Sequence, residues 1–182
     1  MNFEYETNRL RLKILRPSTE SARQILDFYN KNRTVFERYE AMRPDDFYTI
    51  SYHESILATE YNLALQQKCI RFWVYEKENP SRIIGTICFF HILRAAYDRC
   101  ETGYKFDQSY WHKGYAKEAM QLGIFLMFSE LDLHRIEAFV MEENRPSIRL
   151  LYNLDFKYEG LCHKSIKIHD RWEDHMLFAC VR

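Results

Sequence analysis

The sequence predicts an α+β fold: one mixed, mostly antiparallel sheet of about seven strands flanked by about four helices, in a single domain covering residues 1–182. Three observations carry this reading. Apolar and polar residues alternate in several short runs, the period of a half-buried strand. Two further runs, rich in β-branched and aromatic residues, are separated by Asn79-Pro80-Ser81, a turn signal that makes them an antiparallel hairpin. Between Tyr115 and Glu130 the apolar spacing changes to three and four, the period of a helix face. At 47% hydrophobic and 16% aromatic, the chain has side chains for one real core, whereas two domains would each be small.

Taken in order, Leu10 to Arg16 alternates apolar and basic residues and reads as a first strand, stopped by Pro17-Ser18, which opens a helix to about Asn30. The stretch Val35 to Tyr61 is dense in aromatics (Phe36, Tyr39, Phe47, Tyr48, Tyr52, Tyr61), which serve either as core or as a substrate wall, and a second helix is expected from about Ser51 to Lys68. Arg71–Lys77 and Ile83–Ile92 form the hairpin, and Cys100–Asp107 is a further strand. In that strand Cys100, Thr102, Tyr104 and Phe106 share one face, and Glu101, Gly103, Lys105 and Asp107 the other. The helix from Tyr115 carries the small residues Ala116, Ala119 and Gly123, which let it sit close to a sheet. Arg135–Met141 is a strand, Pro146 to about Asn153 a short helix with Pro in its first turn, and two strands around Gly160–Ile168 and His175–Val181 flank the turn His169-Asp170-Arg171. No repeat, linker or low-complexity segment interrupts the chain.

Lys plus Arg equals Asp plus Glu at 26 each, so the overall charge gives no reason to expect nucleic acid or an anionic membrane as partner. About 18 consecutive apolar residues occur nowhere, and the N-terminus has neither the apolar stretch nor the small-residue site of a signal peptide, so a cytoplasmic location is expected. The five cysteines are odd in number and far apart, which suits reduced thiols rather than a disulfide framework. No H-E-x-x-H or Cys/His cluster occurs, and no metal is expected.

The chemistry is concentrated in Asp107–Glu118, DQSYWHKGYAKE, which joins a strand to a helix through Gly114. Such a turn leaves the first helical N–H groups unpaired and aimed at one spot, where the helix dipole favours an anion. With five glycines in all, the chain cannot make G-x-G-x-x-G, and no Ser or Thr follows Lys113-Gly114 in the Walker order. What remains is a phosphate site in outline, with Gly114 admitting close approach and Lys113 adding charge, or an ordinary strand-to-helix turn.

The element order resembles the GNAT-type N-acetyltransferase fold. More specific are Thr7-x-Arg9-Leu10-x-Leu12, Gly103-Tyr104, Lys113-Gly114-Tyr115-Ala116-x-Glu118-Ala119, Asn144-x-x-Ser147 and Phe156-x-x-Glu159-Gly160. Together they are similar to the branch containing ribosomal-protein N-terminal alanine acetyltransferases (RimJ/RimL-like). The resemblance implies acetyl-CoA as donor, its pyrophosphate on the amides of His112, Lys113, Gly114, Tyr115, Ala116 and Lys117 and its pantetheine along Tyr104, Lys105 and Phe106. It also places Asn144 on the pantetheine, although an N-cap ahead of Pro146 is the other reading of that residue. Trp111 stands where the general pattern has Gln or Arg, His112 where a glycine is frequent, and Leu151 where many members carry an acid tyrosine.

Acetyl transfer to an amine needs a neutral nucleophile, a polarised carbonyl and a destination for the proton and the thiolate. An α-amine titrates near pH 7.7–8.0 and a lysine near about 10.4, so modest acid and base groups suffice for the former. Glu101 is the candidate base, directly or through water, or else a salt-bridged strand glutamate. Ser147 is the candidate for holding or protonating the departing sulfur, with helix capping as its other role. Tyr152, one residue from the usual tyrosine position, is turned by about 100° on a helix and is not assigned that role. The expected activity is direct N-acetylation of a primary amine, a protein N-terminus or a small molecule, by a monomer or homodimer. A non-catalytic acyl-CoA-binding module is the alternative, and a succinyl donor would need Lys105 near the acyl end.

Overall fold

The computed structural model describes residues 1–182. It begins with an antiparallel pair, β1 (Glu4–Glu6) and β2 (Leu10–Lys13), in which Tyr5 stands opposite Leu12 and the leucines of β2 are fully buried. Helix α1 (Thr19–Lys31) starts where Ser18 accepts a hydrogen bond from the Ser21 amide, and it buries Ala22, Ile25, Phe28 and Tyr29. A short helix α2 (Arg33–Phe36) and a 3-10 turn (Glu37–Tyr39) lead to α3 (Ile50–Leu65), capped by Thr49. Strands β3 (Ile70–Glu76), β4 (Ile83–Leu93) and β5 (Arg99–Phe106) follow as an antiparallel meander. Then come α4 (Tyr115–Ser129), β6 (Arg135–Val140), α5 (Arg145–Tyr152) and the hairpin of β7 (Lys157–Ile168) and β8 (Arg171–Val181).

All strands join one sheet of order β1-β2-β3-β4-β5-β6-β8-β7, in which only β5 and β6 run parallel. The sheet has eight strands where about seven are expected, because β1 is three residues with a single inward ring and leaves no readable period. The β7–β8 hairpin starts earlier on both arms than predicted: its exposed first residues alternate too little for hydrophobic patterning to register.

The two faces of the sheet have separate cores. Trp73, Tyr75 and Ile83 pack with Ala22, Ile25, Phe28, Tyr29 and Leu57 under α1 and α3. Phe72, Val74, Ile87, Phe89 and Cys100 pack with Met120, Met127 and Leu151 under α4 and α5. All five cysteines are free thiols; Cys88 and Cys100 are buried and the others half-buried.

What positions the site is the fork between β5 and β6. Their pairing covers only Arg99–Glu101 against Arg135–Glu137. Beyond it β5 continues to Phe106 paired with β4 alone, and β6 to Val140 paired with β8 alone. The fork is pinned at its apex by Glu137, a carboxylate only 4% exposed, which accepts from Arg99 at 2.7 Å and from Arg135 Nε at 2.7 Å.

Candidate active site

The turn after β5 is held from below. Asp107 is buried and accepts from Lys31 Nζ at 2.6 Å, Arg82 at 3.1 Å, and the Ser109 amide and hydroxyl at 2.9 and 2.7 Å. Burial alone would raise its pKa, yet the Lys31 and Ser109 hydrogen bonds hold the carboxyl below the usual range, so it stays charged. Asn32, at the end of α1, accepts from the Gln108 amide at 3.1 Å, and the Trp111 indole donates to the Phe106 carbonyl at 2.8 Å. The strand-to-helix passage is therefore a rigid cradle, built partly by residues outside the turn motif.

Above this floor, His112 and Gly114 adopt left-handed backbone, with φ of 60° and 80°. Gly114 begins α4, and the backbone N–H groups from His112 to Lys117 have no partner within the chain; the first amide bonded in the helical pattern is Glu118, to the Gly114 carbonyl at 3.0 Å. His112, Lys113, Gly114 and Lys117 are exposed and Tyr115 and Ala116 half-buried, so these amides face open space. Arg9 braces the rim: it donates to Glu118 through Nε at 2.7 Å, to the Lys113 carbonyl at 3.0 Å, and stacks 4.4 Å over Tyr115. The donor set of free amides, one glycine and flanking Lys113, Lys117 and Arg9 suits a diphosphate.

Along β5 the side chains alternate as expected. Tyr104 and Phe106 lie on the α4–α5 face, while Glu101 and Lys105 lie on the α1–α3 face. The Tyr104 hydroxyl is 2.8 Å from Ser147 Oγ and donates to the Ser147 carbonyl at 3.2 Å, spanning the open side of the fork. Burial pushes the Tyr104 phenol well above its ordinary pKa, only partly offset by Ser147, so it remains protonated at all working pH values. Asn144 caps α5, accepting from the Ser147 amide at 3.3 Å, which leaves its side-chain NH2 free. Leu151 is buried in the core and Tyr152 is exposed with its ring against Phe178, so neither places a phenol in the fork.

Glu101 sits at the apex of the fork, 3.0 Å from His91 Nδ1. Lys105 turns away from the fork and pairs with Glu40 at 2.5 Å. It belongs to a cleft of about 330 Å³ between α1, α3, the 40–44 segment and the sheet, lined by Tyr29, Phe47, Tyr52 and Trp73 and by Glu40, Arg43, His53, Glu60 and Arg71. The aromatic stretch thus supplies both core and wall. Sequence reading did not single out Arg43, His53, Glu60 or Arg71, because their relation to the site exists only in the folded chain. No group of three or more His, Cys, Asp or Glu is disposed to hold a metal ion, and no helix is long and apolar enough to cross a membrane.

Comparison with known proteins agrees with this geometry. Residues 11–157 match the acetyltransferase (GNAT) domain family. The chain is 36% identical over 158 residues to a probable N-acetyltransferase of Bacillus subtilis (strain 168), YjcK, covering 87% of each. Among solved structures it superposes on the ribosomal-protein-S5-alanine acetyltransferase of Vibrio fischeri with a TM-score of 0.92, at 27% identity over 99% of this chain and 97% of the other. It also shares its fold with Mycobacterium smegmatis RimJ in complex with CoA-disulfide, at a TM-score of 0.86 and 23% identity, covering 94% and 81%.

Proposed function

This chain belongs to the GNAT acetyltransferase family, and on that premise we propose that it acetylates the α-amine at the N-terminus of a polypeptide, with acetyl-CoA as donor. The observation that carries the donor assignment is the pairing of free amides at His112–Lys117 with an open fork between β5 and β6. When bound, acetyl-CoA supplies an acetyl group activated as a thioester. The diphosphate would rest on the turn, and the amides of a pantetheine arm can pair with the free edge of β5 near Tyr104 to Phe106. Asn144 offers its free NH2 to the same arm while its oxygen caps α5.

At the fork, Glu101 is the group placed to accept the proton of the attacking amine, directly or through one water. The demand is small for an α-amine, part of which is already neutral near pH 7.7 to about 8.0. Ser147 is the group placed to hydrogen-bond the departing sulfur. With the Tyr104 proton on the Ser147 carbonyl, the serine hydroxyl has its own proton to give, either back to the Tyr104 oxygen or to that sulfur. The acceptor enters from the other face of the sheet, through the aromatic cleft, so that donor and acceptor meet across the plane of the strands. The family resemblance and the V. fischeri likeness support a protein N-terminus over other amines.

The test is thiol release from acetyl-CoA with a panel of peptides and amines. Glu101→Gln and Ser147→Ala should each lower kcat by about 10- to 1000-fold while calorimetry shows acetyl-CoA binding retained. Tight binding with no turnover on any amine would overturn the reading.

A further inference from the structure

The acceptor-side cleft carries an excess of positive charge at one end. Lys105 and Arg43 share a single carboxylate, Glu40, each at 2.5 Å, while Arg71 is paired with Glu60 at 2.6 Å. Three cations therefore face two carboxylates on the lining. Arg43 is the least satisfied of them. Its side chain is 9% exposed, its guanidinium stacks 3.9 Å over Phe47 and 4.7 Å over Tyr29, and its buried Nε has no hydrogen-bond partner. His53, 2% exposed on the same lining, leaves Nε2 unpartnered as well. Buried polar atoms without partners are costly, and a group that hydrogen-bonds them lowers that cost.

Glu40 is the carboxylate of this cluster that lies outside regular structure, Glu60 being on α3. It follows the 3-10 turn in extended backbone, outside any helix or strand, whereas Lys105 is fixed on a central strand. A carboxylate that holds two cations from an irregular segment can be exchanged for another anion at little backbone cost.

We infer that the acceptor amine carries a second, anionic group, a carboxylate or a phosphate, that seats between Lys105 and Arg43 where Glu40 lies in the free protein; this rests on reading the cleft as the acceptor site. The spacing agrees. Glu101 and Lys105 lie on the same face of β5, four residues and about 13 Å apart along the strand, with Lys105 on the cleft lining and Glu101 beyond it at the apex of the fork, so an amine at Glu101 leaves room for an anion at Lys105. An N-terminal peptide with an acidic side chain in its first few residues meets that description, and so does a small phosphorylated amine. A polyamine brings a cation to the place where two already stand.

The experiment measures kcat/KM on two matched pairs, Ala-Glu-Gly-Gly-amide against Ala-Gln-Gly-Gly-amide and phosphoethanolamine against ethanolamine, with spermidine alongside. The anionic member of at least one pair should be preferred by about tenfold or more, the pair that responds identifying the source of the anion, and spermidine should be the poorest. Lys105→Met should bring the ratio within about twofold, and Glu40→Gln, which removes the internal competitor, should raise kcat/KM for the anionic member. Arg43→Met should act as Lys105→Met does, and the lysine variant carries the test if loss of the buried arginine unfolds the chain. Equal turnover within both pairs, or a preference that survives in Lys105→Met, overturns the inference alone; preference for spermidine overturns the inference and the polypeptide acceptor together. Absence of turnover on every amine, with acetyl-CoA bound, overturns the underlying reading with it.

Discussion

Arg9 and Glu118, 109 residues apart in the chain, are locked together at the mouth of the proposed diphosphate turn: the guanidinium donates twice to one carboxylate oxygen at 2.7 Å, and the Arg9 amide and Thr7 hydroxyl donate to the other at 2.9 and 2.5 Å. Burial would raise the Glu118 pKa, but the Thr7 and Arg9 hydrogen bonds hold it low, so the clasp is charged at neutral pH. Because Arg9 also bonds the Lys113 carbonyl, it fixes the turn rather than the core. Arg9→Ala should therefore raise KM for acetyl-CoA by about tenfold with a much smaller change in kcat. Steady-state kinetics with saturating amine checks this, and an unchanged KM contradicts it.

Gly114 begins α4 at φ 80°, with an added Cβ falling 3.4 Å from Arg9 Nη2. A side chain in left-handed backbone costs roughly 1–2 kcal/mol, and here its Cβ would stand in contact with the Arg9 guanidinium. Gly114→Ala is expected to weaken acetyl-CoA binding in calorimetry while the melting temperature falls by only a few degrees. Wild-type affinity in that variant would show that the turn needs no glycine.

Gly123 illustrates a different constraint. A Cβ there would lie 2.7 Å from both Ile87 Cδ1 and the Phe89 ring, so α4 lies directly on the sheet. Gly123→Ala gains helix propensity but overpacks this contact, and a net loss of about 1–3 kcal/mol is expected. The urea midpoint measures it; a stabilised variant would mean that α4 has room to lift.

His53 gives the protein a pH signature. Burial, and then the charge of Arg43, pull its pKa down from 6.5 to about 4. The depressed value means that the native state refuses a proton which the unfolded chain accepts. The resulting stability is complete above pH 6.5 and is lost as pH falls toward 4. Between pH 7.5 and 5 the loss through this one group amounts to about 2 kcal/mol. Unfolding free energies at those two values should therefore fall more steeply in the wild type than in His53→Phe; parallel falls would contradict the burial of a neutral imidazole.

Much of this architecture was legible in residue order because it rests on local periods. The alternation of Cys100–Phe106 placed Tyr104 and Glu101 on opposite faces, and the small residues Ala119 and Gly123 announced a helix lying close to the sheet. The strand-to-helix turn at Gly114 was readable from the glycine between the two periods, and the structure has it open α4 in left-handed backbone. What escaped reading was contact between distant segments. Thr7-x-Arg9 and Glu118 were visible as separate motifs, but only folding makes them one hydrogen-bonded unit. Tyr104 and Ser147 meet across 43 residues of sequence, and the distant Asp107 anchors are Lys31 at the end of α1 and Arg82 in the turn before β4. Lys105 lies on the strand expected to carry the pantetheine, but its side chain emerges on the α1–α3 face and meets Glu40, a partner that no local pattern announces. Arg43 and His53 carry no motif at all, since their meaning lies in single buried nitrogens, Arg43 Nε and His53 Nε2, left without a hydrogen bond.

The claim from which the rest descends is that main-chain amides between His112 and Lys117 hold the diphosphate of the donor and so aim its sulfur into the fork between β5 and β6. A crystal structure with coenzyme A tests it most directly. Diphosphate oxygens within hydrogen-bonding distance of those amides, with the thiol between Glu101 and Ser147, is the predicted result. A nucleotide bound elsewhere, with the turn amides left to solvent and the Tyr104–Ser147 contact closing an empty fork, would contradict it.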